Sequence, residues 1–195
     1  MTTVYFIRHA QSERFCRDDR TRPLTAEGME DTKKVTAALS DKGITHILSS
    51  PYTRTIQTVT DLAQTLGLPV ETDEDFRERS AGSWHGDNFL DYIRRQWEDF
   101  GYHIEDGECL ADVQQRNIAA LKRALEKYRG GLFAVATHGT AFSTIVNYYY
   151  PEYGYERFMR MLDYMPYVVK MTFEEAGGCS SMEDILIVEK EYKQG

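Results

Sequence analysis

Three short apolar runs in the chain each end abruptly at polar or charged residues. They are VYFI at 4–7, followed by Arg8 and His9; ITHIL at 44–48, followed by two serines; and LFAVA at 132–136, followed by Thr137 and His138. Short runs rich in β-branched and aromatic residues are typical of buried strands. The segments between these runs have apolar residues at helical spacing. This alternation of strands and helices predicts an α/β fold with a mostly parallel sheet.

Helix signals fill the segments between the runs. Thr25 is suited to cap a first helix, and a second helix is predicted from Pro51, with Gly67 marking its end. A longer helix with one apolar face is predicted at about 110–128. The tail, with VVKMTFEE and DILIVEKEY, predicts an antiparallel pair of strands at the sheet edge.

The composition limits the partners and the compartment. The formal net charge is −8, from 31 acidic and 23 basic side chains, which argues against nucleic acid or an anionic membrane as partner. A local arginine pocket can still bind a small anionic substrate. The absence of a C-x-x-C pair, a signal peptide and a long apolar segment predicts a cytoplasmic protein.

We expect one domain over residues 1–195, with a small cap-like insertion at about 85–109.

The polar residues at the strand ends are candidates for a shared site. In parallel sheets, sites gather at the carboxyl ends of the strands, so we expect Arg8, His9, Arg54 and His138 to converge. Two arginines and two histidines suit a phosphate dianion, since a guanidinium donates two parallel hydrogen bonds to phosphate oxygens. The helices predicted to start near Pro51 and Thr140 are expected to aim free N–H groups at the same point.

The same residue types can carry phosphoryl-transfer chemistry. Imidazole is a nucleophile at neutral pH, and clustered cations stabilise the charge on a transferring phosphoryl group. The leaving alkoxide needs a proton, and Glu78, in RERSAGSW, is our first candidate for the acid. The pattern therefore favours an enzyme that acts on phosphate monoesters.

Six segments in fixed order resemble one known family. They are FIRHAQSE, RPLTAEG, ILSSPYTRTIQT, FRERSAGSWHG, GECLADVQQR and AVATHG. Across about residues 4–145 the chain resembles the histidine phosphatase superfamily, which includes cofactor-dependent phosphoglycerate mutase. The resemblance implies a three-layer α/β/α sandwich with a mostly parallel central sheet, of the phosphoglycerate mutase-like type.

The resemblance also implies roles for individual residues. His9 would be the nucleophile that becomes phosphohistidine and is then hydrolysed by water. Arg8, Arg54 and His138 would bind the phosphoryl group, His138 counting also among the catalytic residues. Glu78 would be the proton donor. No metal and no other cofactor is implied, except priming by 2,3-bisphosphoglycerate if the protein is a mutase.

Further substrate contacts are expected beside these residues. Gln11, Ser12 and Arg22 lie in the loop after the first strand, and Gly139 follows His138. We expect these four residues to contact a small phosphorylated substrate whose identity, like the oligomeric state, the sequence leaves open.

The chain departs from the family pattern at several positions. His85 stands where many members have glutamate, and Cys109 where many have serine after G-E. Phe15 or Cys16 stands where many have asparagine. These departures concern substrate contacts and leave the core catalytic residues in place.

Several alternatives stay open at this point. A mutase would return the phosphoryl group to the substrate, although the chain lacks the extra segments of longer mutases. A regulatory module would bind phosphate with little turnover. Cys16 and Arg22 have the C-x5-R spacing of cysteine-dependent phosphatases, but Asp18 and Asp19 between them disfavour phosphate binding there. A zinc site is disfavoured because no H-x-H or H-x-x-x-H pair is present.

Overall fold

One twisted sheet forms the centre of the molecule. The computed structural model describes residues 1–16, 18–83 and 89–190. The sheet in these ranges has the strand order β3-β2-β4-β1-β5-β6. The strands are β1 Thr2–Arg8, β2 His46–Ser49, β3 Val70–Thr72, β4 Leu132–Thr137, β5 Tyr164–Phe173 and β6 Cys179–Glu189. The first four of these pair in parallel and the last two antiparallel, as predicted for the tail.

Helices cover both faces of this sheet. They are α1 Ala26–Leu39, α2 Thr53–Leu66, α3 Phe89–Glu98, α4 Leu110–Lys127, α5 Gly139–Tyr149 and α6 Tyr155–Met161, with a short 3-10 helix at Glu74–Phe76. α1 and α2 pack on one face, and α4, α5 and α6 on the other.

Two apolar cores result from the alternation of side chains along the strands. In β1, Val4 and Phe6 belong to the core beneath α4 and α5, whereas Tyr5 and Ile7 belong to the core beneath α1 and α2. Both cores are almost fully buried, since helices cover both faces of a parallel sheet. The predicted three-layer α/β/α sandwich with a mostly parallel sheet is confirmed.

The helix boundaries follow local sequence signals, with one correction. Thr25 caps α1, and its Oγ1 accepts a hydrogen bond from the N–H of Gly28 at 2.9 Å. Gly67 ends α2 with a φ of 66°, a left-handed conformation that suits glycine. The prediction that Pro51 lies in the first turn of α2 is wrong, because the helix begins at Thr53 with Tyr52 as its cap.

The described part of the predicted insertion, residues 89–109, contains one helix, α3. α3 buries Tyr92, Ile93 and Gln96, and it packs against α6. His85 lies outside the described residues. No helix in the described ranges is long and apolar enough to cross a membrane.

Candidate active site

Strand register brings the polar ends of β1, β2 and β4 to one edge of the sheet. Arg8 in β1 pairs with Thr137 in β4, and Ser49 in β2 pairs with Ala136. Pairing continues one residue further, since the N–H of His9 donates to the Thr137 carbonyl at 3.1 Å. The sequence motifs at these three strand ends therefore meet because the strands are parallel neighbours.

The two histidines face each other beneath this edge. The ring centroids of His9 and His138 lie 5.4 Å apart in an edge-on arrangement. His9 Nδ1 lies 2.7 Å from the carbonyl oxygen of Ala10, so Nδ1 carries the proton and donates, which leaves a lone pair on Nε2. His138 is fully buried, and its Nε2 lies 2.8 Å from the hydroxyl of Ser50.

Both imidazoles are held in the neutral form. Burial lowers the pKa of His9 well below its ordinary value, and the nearby Arg54 and Arg8 charges lower it further. Burial also lowers the pKa of His138 well below its ordinary value, with Arg54 and His9 adding to the effect. A neutral His9 with a free Nε2 lone pair is the form that can attack an electrophile.

Arg54 supplies a buried cation beside the histidines. Its side chain is 1% exposed, and Nη1 donates to the carbonyl oxygen of Asp19 at 2.5 Å. The Asp19 carboxylate also bridges Arg54 and Arg22, with Nη2 of Arg22 at 2.5 Å from Oδ1. The Nε of Arg54 is buried without a hydrogen-bond partner in the described part of the chain. An anion at this point would satisfy that donor.

Arg8 is fixed from the opposite side of the cleft. Its Nη1 donates to the carbonyl oxygens of Met161, the last residue of α6, of Leu162, and of Tyr164, the first residue of β5. Gly139 allows the guanidinium to lie against the start of α5, since a Cβ there would be 3.3 Å from the Arg8 Nε.

Glu78 binds the N-terminus of α5. Its Oε2 accepts from the N–H of Thr140 at 3.1 Å, and Oε1 accepts from the N–H groups of Ala141 and Arg79 at 3.0 and 2.8 Å. The prediction that α5 aims free N–H groups at the phosphate position is therefore wrong for these two donors, because the carboxylate takes them. The first N–H of α2, that of Thr53, likewise donates to the carbonyl oxygen of Arg20, in the loop after β1.

One cleft of about 840 Å³ unites the predicted residues. Of the residues singled out from the sequence, its lining includes Arg8, His9, Gln11, Ser12, Arg22, Arg54, Glu78 and Gly139. His138 is fully buried and is not among the described residues that line the cleft. The opposite wall is apolar and includes Phe89, Ile93, Phe158, Leu162 and Met165.

Comparison with known proteins decides the family. The family model of the histidine phosphatase superfamily (branch 1) matches residues 4–178. The chain belongs to this superfamily. It is similar to the probable phosphoglycerate mutase GpmB of Escherichia fergusonii, with 29% identity over 160 residues that cover 75% of this chain and 74% of that protein.

Solved structures of other proteins share the fold. YhfR of Bacillus stearothermophilus superposes with a TM-score of 0.74 at 21% identity, covering 92% of this chain and 94% of that one. A phosphoserine phosphatase of Entamoeba histolytica, solved with phosphoserine, gives 0.73 at 19% identity, covering 93% of this chain and 96% of that one. At these identities the likeness establishes the architecture.

The candidate site includes three residues that sequence reasoning missed. Ser50 binds His138, Tyr52 packs edge-on against the same ring at 5.0 Å, and Asp19 bridges the two arginines. Ser50 and Tyr52 follow β2 directly, so their position at a strand end was the signal available. Asp19 had no such signal, since it lies in a loop and reaches the site only through tertiary contacts.

The described residues also bear on the two rival sites, the cysteine motif and a zinc site. Cys16 Sγ lies 3.5 Å from the carbonyl oxygen of Asp18, and it is not among the described residues that line the cleft. Arg22 binds Asp19 rather than a position beside the thiol. Among the described residues, no cluster of histidine, cysteine and acidic side chains is arranged to hold a metal ion.

Proposed function

We propose that the protein hydrolyses small phosphate monoesters through a phosphohistidine on His9. The observation that carries the proposal is the state of His9: its Nδ1–H is held by the Ala10 carbonyl, its ring is neutral, and it lines a cleft with Arg8 and Arg54. Nε2 is thereby available as a nucleophile next to cations that suit a phosphoryl group.

The reaction takes two steps. In the first, the lone pair of His9 Nε2 forms a bond to phosphorus while the ester P–O bond breaks, and the leaving oxygen takes a proton from Glu78. In the second, Glu78 takes a proton from water, whose oxygen attacks phosphorus and releases His9 and inorganic phosphate. Arg8 and Arg54 stabilise the charge on the phosphoryl oxygens in both steps.

Glu78 suits the acid-base role because its orientation is fixed. Three backbone N–H groups hold its two oxygens at the start of α5, and the residue lines the same cleft as His9. A group that serves first as acid and then as base must stay close to the leaving oxygen in both steps.

The lining of the cleft favours hydrolysis over mutase chemistry. A mutase must hold a sugar acid with a second anionic group, which calls for more available cations. Here Arg22 is paired with Asp19, and Arg79 donates to Gln96 at 2.5 Å and lies over the ring of Tyr92. The part of the wall formed by Phe89, Ile93, Phe158, Leu162 and Met165 is apolar and suits an organic group without a second charge, although Arg14 also lines the cleft.

A mutase remains the second candidate, because curated relatives with 28–29% identity are named probable phosphoglycerate mutases. It would return the phosphoryl group from His9 to the substrate and would need a bisphosphorylated primer. Incubation with 3-phosphoglycerate, with and without 2,3-bisphosphoglycerate, distinguishes the two. We expect no isomerisation to 2-phosphoglycerate, and efficient primer-dependent isomerisation would overturn the assignment as a phosphatase.

The first test is hydrolysis of p-nitrophenyl phosphate near pH 6. We expect steady turnover by the wild type and loss of at least about a thousandfold in kcat for His9→Ala, because the nucleophile is gone. His103→Ala is a matched control, since His103 Nδ1 also lies by the carbonyl of the next residue, at 2.8 Å, but on the exposed surface. Wild-type turnover by His9→Ala would remove the mechanism, and no turnover by the wild type would favour a binding module.

A further inference from the structure

The loop that carries Glu78 has no regular structure of its own. It follows the 3-10 helix Glu74–Phe76 and runs through residues 77–83 as neither helix nor strand. A catalytic carboxyl group on such a loop depends on surrounding contacts for its position. The contacts that hold the backbone of this loop come largely from one partly buried ion pair, which Glu108 and Arg116 form.

Arg116 binds the backbone of Glu78 and of two residues that precede it. It lies in the second turn of α4, and its side chain is 10% exposed. Nη1 donates to the carbonyl oxygens of Asp75 and Arg77 at 2.9 and 2.6 Å, and Nη2 donates to that of Glu78 at 3.0 Å. The planar guanidinium reaches these three carbonyls at once, which the single ammonium of lysine cannot do in the same geometry.

Glu108 completes the clamp from the other side. Its carboxylate accepts from Nε and Nη2 of Arg116, both at 2.9 Å, and from the N–H of Ser80 at 2.9 Å. The N–H of Glu108 also donates to the Ser80 carbonyl at 2.9 Å. Burial opposes ionisation of this carboxyl group, but the hydrogen bonds from Arg116 and Ser80 still hold its pKa below its ordinary value. The pair is therefore ionised at neutral pH.

Glu78 is thus anchored twice. The N-terminus of α5 holds its carboxylate, and the ion pair holds the backbone at 75, 77, 78 and 80. We propose that Arg116 and Glu108 are positioning residues for the proton donor, which keep the Glu78 carboxyl group aimed at the leaving oxygen. This inference rests on the proposed function, in which Glu78 protonates that oxygen.

The test compares two aryl esters of similar size. Phenolate is a more basic leaving group than p-nitrophenolate, so phenyl phosphate depends more on protonation by Glu78. We expect Arg116→Lys and Glu108→Gln each to lower the ratio of kcat/KM for phenyl phosphate to kcat/KM for p-nitrophenyl phosphate by about tenfold, since kcat/KM reports the step in which the leaving group departs. The ratio is measured on one preparation, so it does not depend on how much of the variant is folded.

Arg123→Lys is the matched control. Arg123 also lies in α4 and pairs with Asp73 and Asp75, but its side chain is 54% exposed and its hydrogen bonds go to carboxylates rather than to the loop backbone. We expect this variant to keep the wild-type ratio. An equal fall in the ratio for Arg123→Lys would show a general effect of α4 and would overturn the proposal.

Glu78→Gln separates failure of this inference from failure of the proposed function. We expect it to lower the ratio strongly, and addition of Arg116→Lys to lower it no further, since the acid is already absent. If Glu78→Gln leaves the ratio unchanged, the acid role in the proposed function is wrong. If Glu78→Gln lowers the ratio while Arg116→Lys and Glu108→Gln do not, the positioning role alone is wrong.

Discussion

At the scale of single residues, the site is organised by hydrogen bonds that fix the histidine rings. Ser50 is fully buried, and its hydroxyl lies 2.8 Å from His138 Nε2. Nδ1 of the same ring is buried without a hydrogen-bond partner among the described residues. Among the described residues, the ring of His138 is therefore fixed by one hydrogen bond, to the side chain that follows β2, and by its ring contacts with His9 and Tyr52.

Ser50→Ala tests this dependence. We expect kcat for p-nitrophenyl phosphate to fall about tenfold because the ring can turn, and stability to fall by about 1–2 kcal/mol because a buried partner is lost. Steady-state kinetics and urea unfolding measure the two effects. Ser143→Ala is the control, since Ser143 is also fully buried and lies 3.3 Å from the hydroxyl of Tyr153, away from His138. Unchanged kcat in Ser50→Ala would contradict the role of Ser50.

At the scale of elements, the helix that carries Arg116, α4, has a weak N-terminal cap. Cys109 is its cap residue, and its Sγ accepts from the N–H of Asp112 at 3.4 Å. Sulfur is a weak acceptor compared with the hydroxyl oxygen that caps α1 at Thr25. The cysteine stands where many family members have serine, so this departure affects the helix rather than the substrate.

We expect Cys109→Ser to stabilise the protein by about 0.5–1 kcal/mol, because a hydroxyl accepts a stronger hydrogen bond at the N-cap. Thr25→Ala, which removes the oxygen cap of α1, should destabilise it by about 1 kcal/mol. Urea unfolding of the two variants gives both values. A destabilised Cys109→Ser would indicate that packing of the thiol outweighs capping.

The sequence predicts elements better than it predicts contacts between them. The strands that end at Arg8 and at His138 were predictable because apolar runs stop at polar pairs. α6 was not, since Tyr155–Met161 is short and has no cap signal. The binding of Glu78 to the start of α5 was also not predictable. Its two hydrogen bonds join pairs of residues that are 62 and 63 positions apart in the chain.

At the scale of the whole molecule, the two buried histidines tie stability to pH. Burial lowers the pKa of both His9 and His138 in the folded state, whereas the unfolded chain has histidines with pKa near 6.5. Below that pH the unfolded state binds more protons than the folded state, so the free energy of unfolding falls as the pH falls. The stabilisation is complete above pH 6.5 and is lost progressively toward the depressed folded pKa values.

We expect acidification below about pH 6.5 to cost up to about 1.4 kcal/mol per pH unit for each buried histidine. Urea unfolding at a series of pH values between about 5 and 8 measures this slope. His138→Gln should reduce the slope, because one of the two groups no longer titrates. An identical slope in wild type and variant would contradict the assignment of His138 as a buried neutral imidazole.

The central claim is that His9 receives the phosphoryl group before water does, and stereochemistry at phosphorus tests it most directly. The substrate is a phosphorothioate monoester whose two non-bridging oxygens are different isotopes, which makes the phosphorus chiral. It is hydrolysed in water that carries the third oxygen isotope. Each displacement inverts the configuration, so two steps through phosphohistidine predict net retention. Net inversion would mean direct attack by water and would contradict the account.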